Sequence, residues 1–236
     1  FANQGHIDSK VKDIDLAPFV PDTNKRAYEI HPLIDAIFDE ISEKVELLSD
    51  WAPNIVTTIG RLGGRTIGVV ANNPQHLGGV LDSAAGEKAA RFVRTCDAFG
   101  IPLVVIADVP GFMPGAGQEW EGAVRRGAKL LHAFGESVVP RITLITRRAY
   151  GGAYVAMNSR SLGATKVLAW PKAEVSVMGA VAAVRVLHRR LLADLSEQQR
   201  EITELELAEL HGMGPSALKV LKAEMKKLKI SFKSAR

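Results

Sequence analysis

The residues best suited to chemistry lie between positions 142 and 161, ITLITRRAYGGAYVAMNSRS. Ile142, Leu144 and Ile145 read as a buried strand, Thr146-Arg147-Arg148 as a polar turn, and Gly151-Gly152-Ala153 as the start of a helix running to about Leu162. The first backbone N–H groups of a helix have no partner within it, and the macrodipole favours negative charge at that end. Gly151 and Gly152 carry no Cβ, so a ligand can come close to the main chain. Such a turn can hold an oxygen that becomes negative during a reaction. The same residues suit a helix packed tightly on a sheet through small side chains, and a short glycine motif does not separate the two readings.

Other routes to catalysis are poorly supplied. Histidines 6, 31, 76, 132, 188 and 211 are scattered without ligand spacing, so no metal site is expected. Cys96 is the single cysteine and shares a helical stripe with Ala89, Phe92, Val93 and Phe99, which predicts a buried, inert thiol. A lone cysteine excludes an internal disulfide and fits a reducing compartment, so a cytoplasmic location is expected. No apolar run approaches the roughly 20 residues of a membrane helix. No basic-then-apolar leader is visible, and Phe1 stands where a methionine would begin a full chain, as in a fragment or a processed product.

Positioning elements can be read in order. With 236 residues, 47% of them hydrophobic, the chain can bury a full-sized core in one large domain, with or without an appendage. Residues 1–32 are polar and punctuated by Pro18, Pro21 and Pro32, an extended lead-in. Leu33, Ile34, Ile37, Phe38 and Ile41 predict a helix to about Lys44. Two β-rich runs, Ile55–Leu62 and Thr66–Ala71, flank Gly63-Gly64-Arg65 and predict a hairpin. Ser83 is placed as the cap of a helix ending at Gly100, and Pro102–Ala107 as a doubly buried strand. Glu119–Ser137 reads as one helix in which Gly122 and Gly127 mark close packing. Val139–Ile145, Val167–Trp170 and Glu174–Val177 read as further strands, and Met178-Gly179-Ala180 opens a helix to about Leu192. Alternation of strands and helices with long crossovers predicts an α/β fold with substantially parallel pairing. Three glycine loops at strand ends, DVPGFMPG, YGGAY and VMGA, lie where ligands bind in such folds.

Long segments then point to a family. VPDTNKRAYEI, NIVTTIGRLGGRTIGVVANNP, KAARFVRTCDAFGIPLVV, ADVPGFMPG, RRGAKLLHAFGESVVPRITLITRRAYGGAY and AWPKAEVSVMGA run in order from about residue 20 to about residue 188. They resemble the C-terminal, biotin-side half of the carboxyltransferase (β) subunit of biotin-dependent acyl-CoA carboxylases. The resemblance implies a crotonase-like (ClpP/crotonase) layered fold and transfer of a carboxyl group from carboxybiotin to the carbon alpha to an acyl-CoA thioester. In that family two backbone oxyanion holes serve the reaction and no side-chain general base is needed. It implies biotin on a separate carrier domain or protein, and as partners acyl-CoA, a biotin carboxyl carrier protein, a biotin carboxylase subunit and a CoA-side carboxyltransferase half, in an oligomer.

Carried over by position, the resemblance puts the biotin-side hole on the N–H groups of Gly152 and Ala153, beside Gly151. Gly111 and Phe112 would line the biotin entrance, and Met178 and Gly179 another wall. Plain core packing is the alternative for Phe112 and Met178. The family's acyl-pocket position, often Asp, is Val155 here, which implies a more apolar pocket. Arg147 and Arg148 suit either a solvated turn or contact with CoA phosphate.

The resemblance is expected to stop after about Arg190, and the chain divides into a crotonase-like domain, 1–196, and a tail, 197–236. Thr203 with Glu206 reads as a capping box, and LHGMGPSALKVL resembles a helix-hairpin-helix element. Its lysines, Lys219, Lys222, Lys226, Lys227 and Lys229, suit a solvated face or phosphate attraction, and protein contact is favoured over nucleic acid. The competing functional reading is a non-catalytic crotonase-like scaffold whose helical tail binds protein or nucleic acid.

Overall fold

A computed structural model describes residues 14–193, apart from positions 22, 24, 25 and 41, together with 199, 200 and 203. It divides into two compact units, Phe1–Val177 and Met178–Arg236. The first contains α1 (His31–Ile37), β1 (Val45–Glu46), β2 (Ile55–Leu62), β3 (Arg65–Asn72), α2 (Ser83–Ala98), β4 (Leu103–Val109), α3 (Ala116–Trp120) and α4 (Ala123–Glu136). It continues with β5 (Arg141–Tyr150), α5 (Gly151–Ala156), β6 (Lys166–Ala169) and β7 (Glu174–Ser176). In the second unit lie α6 (Ala180–Leu187) and α7 (Arg189–Ala193).

Among the described residues the strands form one sheet in the order β1-β2-β3-β4-β5-β6, with β7 paired to β5 off that path. The expected hairpin is present: β2 and β3 are antiparallel, with Leu62 opposite Arg65. Gly63 and Gly64 form its turn at φ 58° and 74°, a backbone region open to glycine. From β3 onward the pairing is parallel, through β4 to β5 and then to β6 and β7. The predicted α/β class with substantially parallel strands therefore holds.

Strand periodicity explains the two cores. Leu103, Val105, Ala107 and Val109 of β4 point into one cluster with Ala85, Ala89, Phe92, Val93 and Cys96 of α2 and Leu130, Ala133 and Phe134 of α4. The alternate residue Ile106 joins a second cluster with Leu33 and Ile34 of α1, Tyr28 and Ile30. This period of two, apolar on both faces, is what a doubly covered parallel strand requires. Cys96 is fully buried, and burial pushes its thiol up to about 12, so it is not a nucleophile at neutral pH.

Several predicted boundaries move for local reasons. The first helix ends at Ile37 rather than near Lys44, because Phe38 leaves the helix in extended conformation. Its ring fills the space above Gly60, where a Cβ would come within 2.8 Å. Asp39 then accepts the N–H groups of Gly63 and Gly64, both at 2.8 Å, so the chain after α1 serves the hairpin turn. The cap of α2 is Asp82, whose side chain accepts from the Ala85 N–H, not Ser83. The helix expected over Glu119–Ser137 is two helices, broken where Gly122 adopts φ 79°. The helix after Gly179 is likewise two, with His188 between them. Thr203 is itself helical rather than a cap, its hydroxyl donating to the Gln199 carbonyl at 2.8 Å. The expected domain boundary at 196/197 and the hairpin-like tail lie outside the described residues.

Candidate functional site

The polar turn expected before the glycines is instead strand. β5 continues through Thr146, Arg147 and Arg148 to Tyr150. Its register with β4 jumps there, from Ala107 opposite Ile145 to Val109 opposite Ala149, so Asp108 alone faces three residues of β5. On its other edge β5 changes partner across the same interval. Ile142–Ile145 pair with β6, and Arg148–Tyr150 pair with β7. A bulge of this kind re-aims the strand beyond it.

Charge fills the bulge. The Asp108 carboxylate is fully buried; Oδ2 accepts Arg147 Nε at 2.9 Å, and Oδ1 accepts Arg148 Nε at 2.9 Å and the Arg148 N–H at 3.2 Å. Arg147 also donates to the carbonyls of Thr23 and Arg26, and its guanidinium lies 4.9 Å from the centroid of the Tyr28 ring. Arg148 reaches the Gly78 carbonyl at 3.0 Å. Neither arginine is part of a solvated turn: both are anchors of the sheet's end. Burial, and next the Asp108 charge, push the Tyr28 phenol well above its ordinary range, so it stays neutral.

Beyond the bulge, β5 delivers its chain directly into α5. Tyr150 is the N-cap, and its hydroxyl donates to the Glu174 carboxylate, joining the end of β5 to β7. Burial raises the Tyr150 phenol, and its bond to Glu174 adds to that. The N–H groups of Gly152 and Ala153 belong to the first turn of α5, where donors have no acceptor within the helix. Ala153 is fully buried, whereas Gly152 is exposed.

The adjacent glycines turn out to differ. Gly151 adopts φ 57°, and a Cβ there would stand 2.9 Å from the Val177 carbonyl oxygen, so it is a site of close backbone packing. At Gly152 the nearest atoms to a Cβ are those of the Phe112 ring, at 3.8 Å and 4.0 Å, so access there is open. Gly151→Ala is therefore expected to destabilise the fold by at least about 1–2 kcal/mol from the left-handed backbone alone. Thermal unfolding checks this, and an unchanged midpoint would show that the turn relaxes freely.

The opposite side of the site comes from the loop after β4. Leu81 pairs with Phe112 in a parallel bridge. The Leu81 N–H donates to the Gly111 carbonyl at 3.1 Å, and the Met113 N–H to the Leu81 carbonyl at 2.7 Å. Gly127 of α4 gives the ring its place, since a Cβ there would meet Phe112 at 3.0 Å. The close packing expected at Gly127 is thus present, while Gly122 serves as a break. Phe112 remains 36% exposed, so it is not part of the buried core. Gly111, Phe112, Gly151, Gly152 and Ala153 accordingly gather around the ends of β4 and β5. Val155 lies further along α5 and is 37% exposed. Met178 and Gly179 open the second compact unit, Gly179 as the N-cap of α6. Sequence reasoning missed Asp108 as a structural centre; its signal was a charged residue ending an apolar strand, followed by paired arginines ending the next.

The chain belongs to the carboxyl transferase domain family, whose match covers residues 3–235. That span includes the segment after Arg190, so the expectation that the family likeness stops there is corrected. Among curated relatives, the biotin-dependent acetyl-/propionyl-coenzyme A carboxylase beta6 subunit of Mycobacterium tuberculosis is 58% identical over 214 residues, 89% of this chain and 45% of that protein. The propionyl-CoA carboxylase beta chain of Rhodococcus erythropolis is 54% identical over 214 residues, 88% of this chain and 45% of that protein. The chain thus spans under half the length of these relatives. A transcarboxylase 12S structure with hydrolysed methylmalonyl-coenzyme A bound aligns at TM-score 0.77 and 38% identity, covering 94% of this chain and 46% of that one. A single-chain, multi-domain long-chain acyl-CoA carboxylase aligns at TM-score 0.75 and 34% identity, covering 82% of this chain and 19% of that one. The expected crotonase-like fold is borne out by these neighbours.

Proposed function

We propose that this chain acts as the biotin-side half of an acyl-CoA carboxyltransferase. The supporting observation is Gly152: it is exposed, its N–H and that of Ala153 belong to the first turn of α5, and the Phe112 ring lies beside it. A planar ureido group fits such a place: two backbone donors for its oxygen, an aromatic wall beside it, and no Cβ in the way. Carboxybiotin, when bound, supplies the carboxyl group and the base that takes the alpha proton. The chain's own contribution is to hold the ureido oxygen on Gly152 and Ala153, to border it with Gly111 and Phe112, and to shape the acyl side with Val155. Backbone donors need no ionisation, which is consistent with a site served by glycine loops.

Biotin would arrive on a carrier protein charged by a biotin carboxylase subunit, and a CoA-side half would supply most contacts to acyl-CoA, in an oligomer. Among the described residues no helix is long and apolar enough to cross a membrane. The direct test is reconstitution. The purified chain should carboxylate no acyl-CoA from carboxybiotin alone and should gain turnover when a CoA-side half is added. Turnover by the chain alone, or none in an assembled pair, overturns the proposal.

A further inference from the structure

The bulge between β4 and β5 holds a fully buried carboxylate whose bonds to Arg147 and Arg148 tie together the strands that carry the Phe112 loop and the glycine turn. We propose that Asp108 and Arg148 form a positioning clamp that sets the Gly152–Ala153 turn against the Phe112 loop. The inference rests on the oxyanion reading of that turn.

Asp108 stands immediately before the loop of Gly111 and Phe112, and Arg148 shortly before Gly151. One oxygen, Asp108 Oδ1, accepts both the main-chain N–H and the Nε of Arg148, at 3.2 Å and 2.9 Å. The clamp thus grips the backbone of β5 itself. Asp108 is in turn fixed from behind. Its N–H donates to Asn72 Oδ1 at 3.3 Å, and its carbonyl oxygen lies so near Gly79 that a Cβ there would come within 2.6 Å. Arg148 Nη2 closes the ring on the Gly78 carbonyl at 3.0 Å, in a loop where Leu77, Gly78 and Gly79 all have positive φ.

The location explains why a clamp is needed. Past the bulge β5 has left β6, and its remaining residues pair with the three-residue β7. With so little ladder, the direction in which β5 enters α5 depends on side-chain bonds to β4. Oxyanion donors must meet their oxygen closely, and a misplacement of about 1 Å can cost roughly 10² in rate. Arg148 therefore acts through the turn rather than by contact with substrate.

Arg148→Met keeps the stem and removes the donors, while Arg148→Lys keeps one cationic donor. In an assembly with the CoA-side half, Arg148→Met should lower kcat about 10- to 100-fold and leave KM for acyl-CoA within about twofold. Amide hydrogen exchange over residues 149–156 should quicken at least about tenfold, with α2 unchanged. Arg148→Lys should recover part of both. Wild-type exchange over 149–156, or exchange that quickens equally in α2, overturns the clamp. If Arg148→Met does not fold, Arg148→Lys carries the same comparison against wild type. Gly152→Val, measured alongside, separates the two ideas. Normal turnover in Gly152→Val with local quickening in Arg148→Met supports the clamp and removes the oxyanion reading. A crippled Gly152→Val beside an unaltered kcat in Arg148→Met overturns the clamp alone.

Discussion

Gly152→Val is expected to lower carboxyl transfer by about 10²- to 10³-fold, the usual effect of losing one oxyanion donor. The fold should survive. Gly152, unlike Gly151, is not held at positive φ, and the nearest atoms to its Cβ position are 3.8 Å away on the Phe112 ring. The first carbon of the new side chain therefore fits, and its two methyl groups fill the approach to the N–H groups of Gly152 and Ala153. Rate and thermal midpoint, compared with wild type in an assembly that contains the CoA-side half, decide the matter. Normal turnover in a folded variant would reduce the turn to helix–sheet packing.

Asp108→Ala is expected to have the largest effect on stability. It removes the acceptor of two guanidiniums while leaving Arg147, 5% exposed, without its carboxylate. Breaking a buried pair from one side typically costs about 3–5 kcal/mol, because the other charge stays buried. For a chain of this size that corresponds to a fall of roughly 6–20 °C in thermal midpoint. Thr146 and Tyr28 hydrogen-bond to one another beside the cluster, and the carbonyls of Thr23 and Arg26 keep their bonds to Arg147, so partial compensation sets the lower bound. A midpoint within a few degrees of wild type would show that solvent replaces the carboxylate and that the cluster is dispensable for folding.

The sheet was legible in the sequence wherever a local rule decides the structure. Gly63-Gly64-Arg65 between β-branched runs is a short glycine-containing loop signal, and the hairpin closes at Gly63-Gly64, with Arg65 already in β3. The run from Leu103 to Ala107 is apolar on every position because both faces of β4 are covered, and that pattern needs no partner to be read. The candidate site was legible for the same reason: glycines at the end of an apolar strand mark where main chain is exposed.

What escaped notice depended on distant partners. Thr146-Arg147-Arg148 looks like a solvent-facing turn until Asp108, thirty-eight positions or more earlier, is placed opposite it. Phe38 continues a helical apolar stripe, and only Gly60 across the sheet explains why its ring leaves the helix. Asp82 and Ser83 are both good caps, and Asp82 takes the role while Ser83 instead bonds Gln118. Gly122 and Gly127 look alike in a helical window, but one breaks the chain's direction and the other makes room for Phe112. Neither difference is local, so neither could be read from spacing.

The unlike environments of the neighbouring glycines carry a lesson about descent. Val177 constrains Gly151 through its carbonyl oxygen, whatever the ligand, whereas the space above Gly152 is bounded by an aromatic side chain at van der Waals distance. A lineage that kept the architecture but abandoned the chemistry would retain the first glycine and let the second drift. Gly151 would then trace ancestry, and Gly152 would record whether the ancestral trade is still practised.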